Sequence, residues 1–487
     1  MDSKYITYIG VDDVDIDLFE SQYVVPEGMC YDSYLVKGDR IAVMDTVDAR
    51  MAGEWMAKLS AALGGRKPDY LVLQHMEPDH SGAVMAFLNE YPDTTIVCSQ
   101  QAANFLLQFN ETLRAEIRPL TAPAEMAAKE CCCGDQGTPA EVTAKEHCCG
   151  NNGVPATGAA KECCCGNNGT PAEVATKEHC CGNNGVPANE ATKEHCCGND
   201  GAPAAGTVGL RAEIRTVKEG DCLELGEGAE LQFIAAPMVH WPEVMMTWFA
   251  AEKTLFSADG FGKFGVYDAD PDDWACEARR YYFNICGKYG AQVAKVLQKA
   301  ARLDIQRICP LHGPVLTGDR LAEAVRLYTV WSSYKPETPE GILIAYASIH
   351  GNTAAAARRL ANILEAKGAP KVAVTDLCRD DVAEAIEDAF RMGTMVLACS
   401  TYDGGIFPPM KCFLDKLAMK GFCDRRVALV ENGTWAPLAA KLMRASLESM
   451  KSIDILDRTL TIKSSLKESQ VPELEALADL LLTPSSR

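Results

Sequence analysis

The sequence predicts an α/β protein of two domains, one of them split by an insertion, and three observations carry that reading. The first part places His, Asp and Glu residues at the ends of several apolar, strand-like runs. The last part alternates apolar runs with amphipathic segments in the manner of a parallel sheet. Within the first part lies a tandem repeat rich in cysteine. The boundaries read as 1–118 with 210–335, 119–209 for the insertion, and 336–487.

Bulk properties set limits on function. A chain of 487 residues with 47% hydrophobic and 23% charged residues has ordinary material for globular cores. The N-terminus MDSKYITYIGVDDVDIDLFE has no basic segment followed by an apolar one, and no apolar run approaches the roughly 18 residues that span a bilayer. A cytoplasmic protein without membrane contact is expected. The net charge of -20 and the lack of any Lys/Arg-rich block argue against nucleic acid, whose phosphates need a concentrated positive footprint.

Of the 22 cysteines, twelve fall in the repeat (Cys131, Cys132, Cys133, Cys148, Cys149, Cys163, Cys164, Cys165, Cys180, Cys181, Cys196, Cys197). The other ten are scattered singly, as small apolar residues of a reduced protein. Five copies of K-E-(H/C)-C-C-G-N-N-G-x-P-A recur sixteen residues apart, from Lys129-Glu130 to Lys193-Glu194. Almost without large apolar residues, this segment cannot offset the entropy of ordering and is expected to be disordered. Its thiols and His147, His179 and His195 would suit Zn(II) or Cu(I). The hexapeptide Leu113–Arg118 (LRAEIR) recurs at Leu210–Arg215, offset by 97 residues. One copy is enough for a continuous domain, so a 97-residue element is read as interrupting a surface loop and leaving a 390-residue protein.

Tyr70-Leu71-Val72-Leu73 reads as a strand, and Gln74-His75-Met76-Glu77-Pro78-Asp79-His80-Ser81-Gly82 as a loop at its C-terminal end, with a helical pattern starting at Ser81. Four potential ligands within six residues suit two metal ions. His240, Asp259 and His312 each follow a further strand-like run. Imidazoles and carboxylates without thiolate suit iron, manganese or zinc, and the carboxylates Glu77 and Asp259 tilt the choice to two adjacent irons.

Pro336, Glu337, Thr338 and Pro339 read as a linker. Gly341–Tyr346 is then a strand running into Ser348-Ile349-His350-Gly351-Asn352-Thr353 and a helix, with strand-like runs following at Val372–Thr375, Thr394–Ala398 and Val427–Val430. This is a doubly wound sheet, which binds ligands beyond its C-terminal strand ends. The first loop offers hydroxyls and backbone N–H groups at a helix N-terminus, suited to a phosphate, but has neither Lys nor GxGxxG. Two later loops, Ser400-Thr401-Tyr402-Asp403-Gly404-Gly405 and Asn432-Gly433-Thr434-Trp435, supply close-approach glycines and aromatics for a flat ring. Together they point to FMN.

Outside the insertion the chain resembles the flavodiiron proteins from end to end. The resemblance rests on YIGVDD, QYVVPEGMCYDSYLV, MDTVD, HMEPDHSG, HWPE, SADGFG, PLHGP, SIHGNT and GGIFPP, in that order. It implies a metallo-beta-lactamase-like αββα sandwich, with Glu77 where zinc hydrolases of that fold have His, followed by a flavodoxin-like domain. It further implies one iron on His75, Glu77 and His240, a second on Asp79, His80 and His312, and Asp259 bridging them. Ser348, His350, Gly351, Asn352 and Thr353 would surround the FMN phosphate, and the two later loops the isoalloxazine. Removing 97 residues shortens the Asp79–His240 gap from 160 intervening residues to 63, close to the family's spacing.

The resemblance implies reduction of dioxygen to water, nitric oxide to nitrous oxide, or both, in an anaerobe's oxygen or nitric oxide detoxification. Electrons would come from a rubredoxin, and a head-to-tail homodimer or homotetramer would set one chain's FMN against the other's irons. The sequence ends at Arg487 without paired CxxC motifs, so the donor is expected to be a separate protein. The competing readings are a zinc-dependent hydrolase and a metal-storage role for the repeats.

Overall fold

A strand covered on both faces needs apolar side chains at every position, and Ile41–Met44 and Tyr70–Leu73 meet that requirement. The computed structural model, which describes residues 3–120, 210–226, 228–267 and 274–483, sets them in the middle of a seven-stranded sheet. From one edge its order is Ile6–Tyr8, Tyr34–Lys37, Ile41–Met44, Tyr70–Leu73, Thr95–Ser99, Arg211–Val217 and Arg114–Pro119. A second sheet of six strands runs Cys222–Gly226, Ala229–Ala235, Met245–Phe249, Thr254–Phe256, Arg307–Cys309 and Leu316–Thr317. Tyr34, Val36, Met44, Val72 and Val97 of the first meet Leu231, Phe233, Met245 and Phe249 of the second in one apolar layer. Helices cover the other faces, with Trp55 and Leu59 of Ala52–Leu63 and Phe87 of Val84–Glu90 buried against the first sheet. This is the expected αββα sandwich.

The duplicated hexapeptide has a structural outcome its text did not reveal. Both copies are strands, parallel and side by side in register, Arg114 beside Arg211 through Arg118 beside Arg215. Like charges at Glu116 and Glu213 are thereby neighbours, each relieved by an ion pair within its own strand, to Arg118 and Arg215. Only the second copy pairs with Thr95–Ser99, and it buries Ala212 and Ile214; the first is the exposed edge strand. Deleting residues 113–209 therefore removes an edge and leaves the inner copy paired. The shortened chain is expected to fold with its melting temperature within about 5 °C of the full chain, since it loses little buried area. A loss of cooperative unfolding in calorimetry would refute this. The repeats themselves, with the disorder and the zinc or copper sites expected of them, lie outside the described residues.

The second half is a five-stranded parallel sheet ordered Val372–Asp376, Thr338–Ala347, Met392–Tyr402, Arg426–Asn432 and Asp454–Ile462. Helices Asn352–Ala366 and Val471–Leu482 bury Leu360, Leu364, Leu474 and Leu477 on one face, and Val382–Arg391 and Pro408–Met419 bury Ile386, Phe390, Phe413 and Leu417 on the other. The strand order reverses beside Thr338–Ala347, which opens a crevice at the C-terminal ends of the neighbouring strands. The last strand, Asp454–Ile462, escaped sequence reading because it is an edge strand carrying Asp454, Asp457 and Arg458 among its apolar residues.

The expected linker is no loose tether. Glu337 is gripped by Arg279 and by the Trp331 indole, and strand structure resumes at Thr338. Arg279 lies on helix Trp274–Ile285, which is buried almost all round and packs on helix Val382–Arg391 of the second half.

Candidate functional site

All seven predicted ligands arrive at one place because each follows a strand of the sandwich. His75 and Glu77 leave strand Tyr70–Leu73. Asp79 and His80 are not on a loop, as expected, but in a one-turn helix, Pro78–Ser81. Pro78 occupies its first position, where a missing N–H costs nothing. Helical spacing turns Asp79 and His80 away from His75 and Glu77. His240 follows Ala229–Ala235, Asp259 follows Thr254–Phe256 and His312 follows Arg307–Cys309.

The side chains form two groups around one carboxylate. In the first, His240 Nε2 lies 2.9 Å from Glu77 Oε2 and 3.2 Å from Asp259 Oδ2, and His75 Nε2 lies 3.3 and 3.2 Å from the same two oxygens. In the second, His80 Nε2 lies 3.1 Å from Asp259 Oδ1 and 3.2 Å from Asp79 Oδ2, and His312 Nε2 lies 3.2 Å from Asp79 Oδ2 and 3.8 Å from Asp259 Oδ1. Metal–ligand bonds of about 2.0–2.2 Å place neighbouring ligand atoms about 3.0–3.4 Å apart, so both groups have the dimensions of a metal's coordination shell. Both carboxylate oxygens of Asp79 and of Asp259, and Nε2 of His80 and His312, are buried without a hydrogen-bond partner among the described residues. Such orphaned atoms are costly unless a cation satisfies them.

The electrostatics agree. Burial alone would raise the Glu77 carboxyl, but hydrogen bonds from His240 and His75 hold it down at about 2. Burial alone would lower His240, but the Asp259 and Glu77 carboxylates beside it raise it to about 9. Without a metal the carboxylates draw protons onto the imidazoles, and a bound cation takes over that role.

A second layer fixes the imidazoles, and sequence reading missed it. Glu243 Oε1 accepts from His75 Nδ1 at 2.8 Å and from the Met76 N–H at 3.0 Å. The Cys30 carbonyl accepts from His312 Nδ1 at 2.7 Å. A carbonyl only accepts, so Nδ1 carries the proton and Nε2 is free to ligate. Asp45 takes the Gln74 N–H at 2.7 Å and its amide at 2.9 Å, anchoring the stretch before His75. Phe19, Tyr31 and Tyr281 surround the His312 ring. Glu243→Ala is expected to lower metal affinity by about 10- to 100-fold with the fold intact. A chelator competition titration checks this, and affinity equal to wild type would refute it.

The second half opens a cavity of about 450 Å³ at its crevice. Of the predicted residues, Ser348, His350, Asn352, Thr353, Ser400, Thr401, Tyr402, Asp403, Gly404, Asn432, Gly433, Thr434 and Trp435 line it. Gly351 and Gly405 do not. Gly351 instead supplies the turn, with φ of 85° at the cap of helix Asn352–Ala366 and its N–H on Ser348 Oγ, while Gly405 pairs with Tyr402 in a short hairpin. Ile349, Ala436, Leu438 and Ser464 line it unpredicted, Ser464 because the strand before it, Asp454–Ile462, is not legible in the sequence. Thr353 Oγ1 lies 2.9 Å from Ser400 Oγ and accepts from Asn432 Nδ2 at 3.3 Å, knitting three loops together. Trp435 is 90% exposed, an open face for a flat ring. Volume, hydroxyl donors and aromatics fit FMN.

Comparison with known proteins covers both halves together. Residues 208–313 match the family model described as ODP family beta lactamase. The anaerobic nitric oxide reductase flavorubredoxin of Vibrio vulnificus (strain YJ016) is 22% identical over 452 residues, 91% of this chain and 71% of that protein. Rubredoxin oxygen:oxidoreductase from Desulfovibrio gigas superposes with a TM-score of 0.73 at 20% identity, over 99% of this chain and 96% of that one. The chain has the fold of the flavodiiron proteins. The flavodiiron protein from Giardia intestinalis superposes with a TM-score of 0.73 at 18% identity, over 98% of this chain and 94% of that one. Among the described residues no helix is long and apolar enough to cross a membrane, and the ten cysteines are free thiols.

Proposed function

We propose that this chain is an FMN- and diiron-dependent oxidoreductase that reduces dioxygen to water, nitric oxide to nitrous oxide, or both, with electrons from a rubredoxin-type donor. The observation that carries the reading is Asp259, whose two oxygens face two separate sets of imidazoles. One iron would be held by His75, Glu77 and His240 and the other by Asp79, His80 and His312, with Asp259 between them. Iron and FMN supply one-electron redox chemistry, together with enough reducing equivalents to carry dioxygen to water. Glu243 and the Cys30 carbonyl hold two imidazoles in place before any metal binds, so ligation costs little ordering. His75, His80, Asp259 and His312 are closed to solvent, whereas the Glu77 and His240 side chains are 17% and 12% exposed. The Asp79 side chain is 10% exposed, so a small diatomic enters where Glu77, His240 and Asp79 reach solvent.

The finer assignments are part of the same reading. Residues 1–118 with 210–335 form the metal domain and 336–487 the FMN domain, with 119–209 inserted. The protein works in the cytoplasm as a head-to-tail homodimer or homotetramer. Anaerobic purification with iron and flavin quantitation, then oxygen and nitric oxide consumption with reduced rubredoxin, tests this. About two irons and one flavin per chain are expected. Zinc in both sites with hydrolytic turnover would overturn it.

A further inference from the structure

The cavity proposed for FMN has an uneven charge distribution. Among its lining residues His350 is the one basic side chain and Asp403 the one carboxylate. His350 precedes Gly351, the cap of helix Asn352–Ala366, where the chain curls so that the Gly351 N–H donates to Ser348 Oγ at 3.1 Å. Everything else this turn offers an anion is neutral: hydroxyls, the Asn352 amide and backbone N–H groups. His350 is exposed, and four neighbouring charged side chains, Arg358, Arg359, Arg379 and Lys467, have partners of their own. Arg358 donates to the Tyr346 hydroxyl at 2.9 Å and Arg359 pairs with Glu468 at 3.2 Å. On the loop past Val372–Asp376, where the Cys378 thiol touches the Ser348 carbonyl, Arg379 lies 3.9 Å from Asp376 and Asp380 accepts from the Asp376 N–H. Beyond Asp454–Ile462, Lys467 donates to Ser465 Oγ at 2.8 Å, with Lys463 on the same loop.

We propose that His350 is the charged contact for the FMN phosphate, so that this chain holds its flavin by an imidazolium–phosphate pair and holds it less tightly as pH rises. The proposal rests on the FMN reading above. A phosphate monoester is largely a dianion above pH about 6, and imidazole is the side chain whose charge changes between pH 5 and 8. Binding the dianion favours the protonated ring. The gain in affinity is therefore fully present where the free ring is already protonated and is lost as pH rises through the ring's range in the complex. Being exposed, the pair contributes modestly, about a threefold to fivefold change in dissociation constant. It also separates FMN from flavins without a phosphate, which cannot make the contact.

The test uses the full-length chain stripped of flavin and titrated with FMN and with riboflavin at pH 6.5 and 8.5, following flavin fluorescence. FMN is expected to bind about threefold to fivefold more weakly at pH 8.5, and riboflavin equally at both. His350→Gln, which keeps a hydrogen-bond donor, should bind FMN at pH 6.5 as weakly as wild type does at pH 8.5, with no further loss. Asp403→Asn should keep the wild-type slope. A flat wild-type profile, a slope that survives in His350→Gln, or the same slope for riboflavin would overturn the role of His350 while leaving FMN as the cofactor. Binding of neither flavin at either pH would overturn the FMN reading, and this inference with it.

Discussion

Asp259→Asn is expected to empty both metal sites at once. The argument is geometric. Oδ2 of Asp259 stands against His75 and His240, and Oδ1 against His80 and His312. Asparagine keeps the shape but makes one of the two atoms an amide nitrogen, a donor aimed at a cation or at the free Nε2 of an imidazole. One group loses its shared ligand outright, and the other keeps a neutral oxygen in place of a charged one. The fold should survive. Burial favours the neutral form of His75, and Asp259 is the largest of the groups that override it, ahead of Glu243 and Glu77, so losing its charge loosens the hold on the extra proton while Glu243 and Glu77 still partner the ring. Metal analysis should find well under about one iron per chain where wild type holds about two, with flavin content unchanged. Consumption of oxygen and nitric oxide should fall with the metal. A variant that keeps its full iron would show that Asp259 is not shared and would remove the basis for a paired site.

How much of this could be read before the structure depends on how far apart the partners lie. The seven ligands were legible because each is a polar residue directly after an apolar run, and polar residues at strand ends are where chemistry collects. That His75 and Glu77 can point one way and Asp79 and His80 another was legible from their spacing on a compact segment; the helical turn at Pro78–Ser81 supplies the physical reason. Glu243 was illegible, since nothing in a lone Glu announces a hydrogen bond to a histidine 168 positions away. The repeated LRAEIR was legible as a repeat but was taken as redundant text, whereas both copies are strands and lie side by side. In the flavin cavity the three loops were recognisable from their glycines and hydroxyls. The contribution of Ser464 was not, because a strand with three charged residues does not look like one.

The junction of the two halves is the largest illegible feature, and Arg279→Ala is the change expected to damage stability most. Its guanidinium is 5% exposed and makes a two-pronged pair with Glu337, Nε to Oε2 at 2.7 Å and Nη2 to Oε1 at 2.9 Å. Its third arm reaches Glu387 at 2.6 Å, on helix Val382–Arg391 of the second half. The two carboxylates respond differently. Burial outweighs Arg279 at Glu387 and pushes it up to about 7, while at the more open Glu337 the arginine prevails and holds it below its ordinary value. Alanine strands both, and breaking a buried pair from one side costs about 3–5 kcal/mol, on the order of 10 °C in melting temperature. The loss should grow with pH. Without Arg279 the folded-state value of Glu387 rises further above its unfolded one. The native state then binds the extra proton, and stability falls as pH climbs from the unfolded value through the folded one. Arg280, bonded to Asp381 at 2.7 Å, and Phe283, stacked on Phe390 at 4.6 Å, keep the halves in contact, so the variant should unfold at lower temperature rather than fall apart. Adding Glu387→Gln to Arg279→Met, which supplies apolar volume, should recover much of the loss and flatten its pH dependence. If Arg279→Ala melts like wild type at pH 6 and at pH 8, the buried pairs contribute nothing to docking, and the stacked aromatic rings carry it instead.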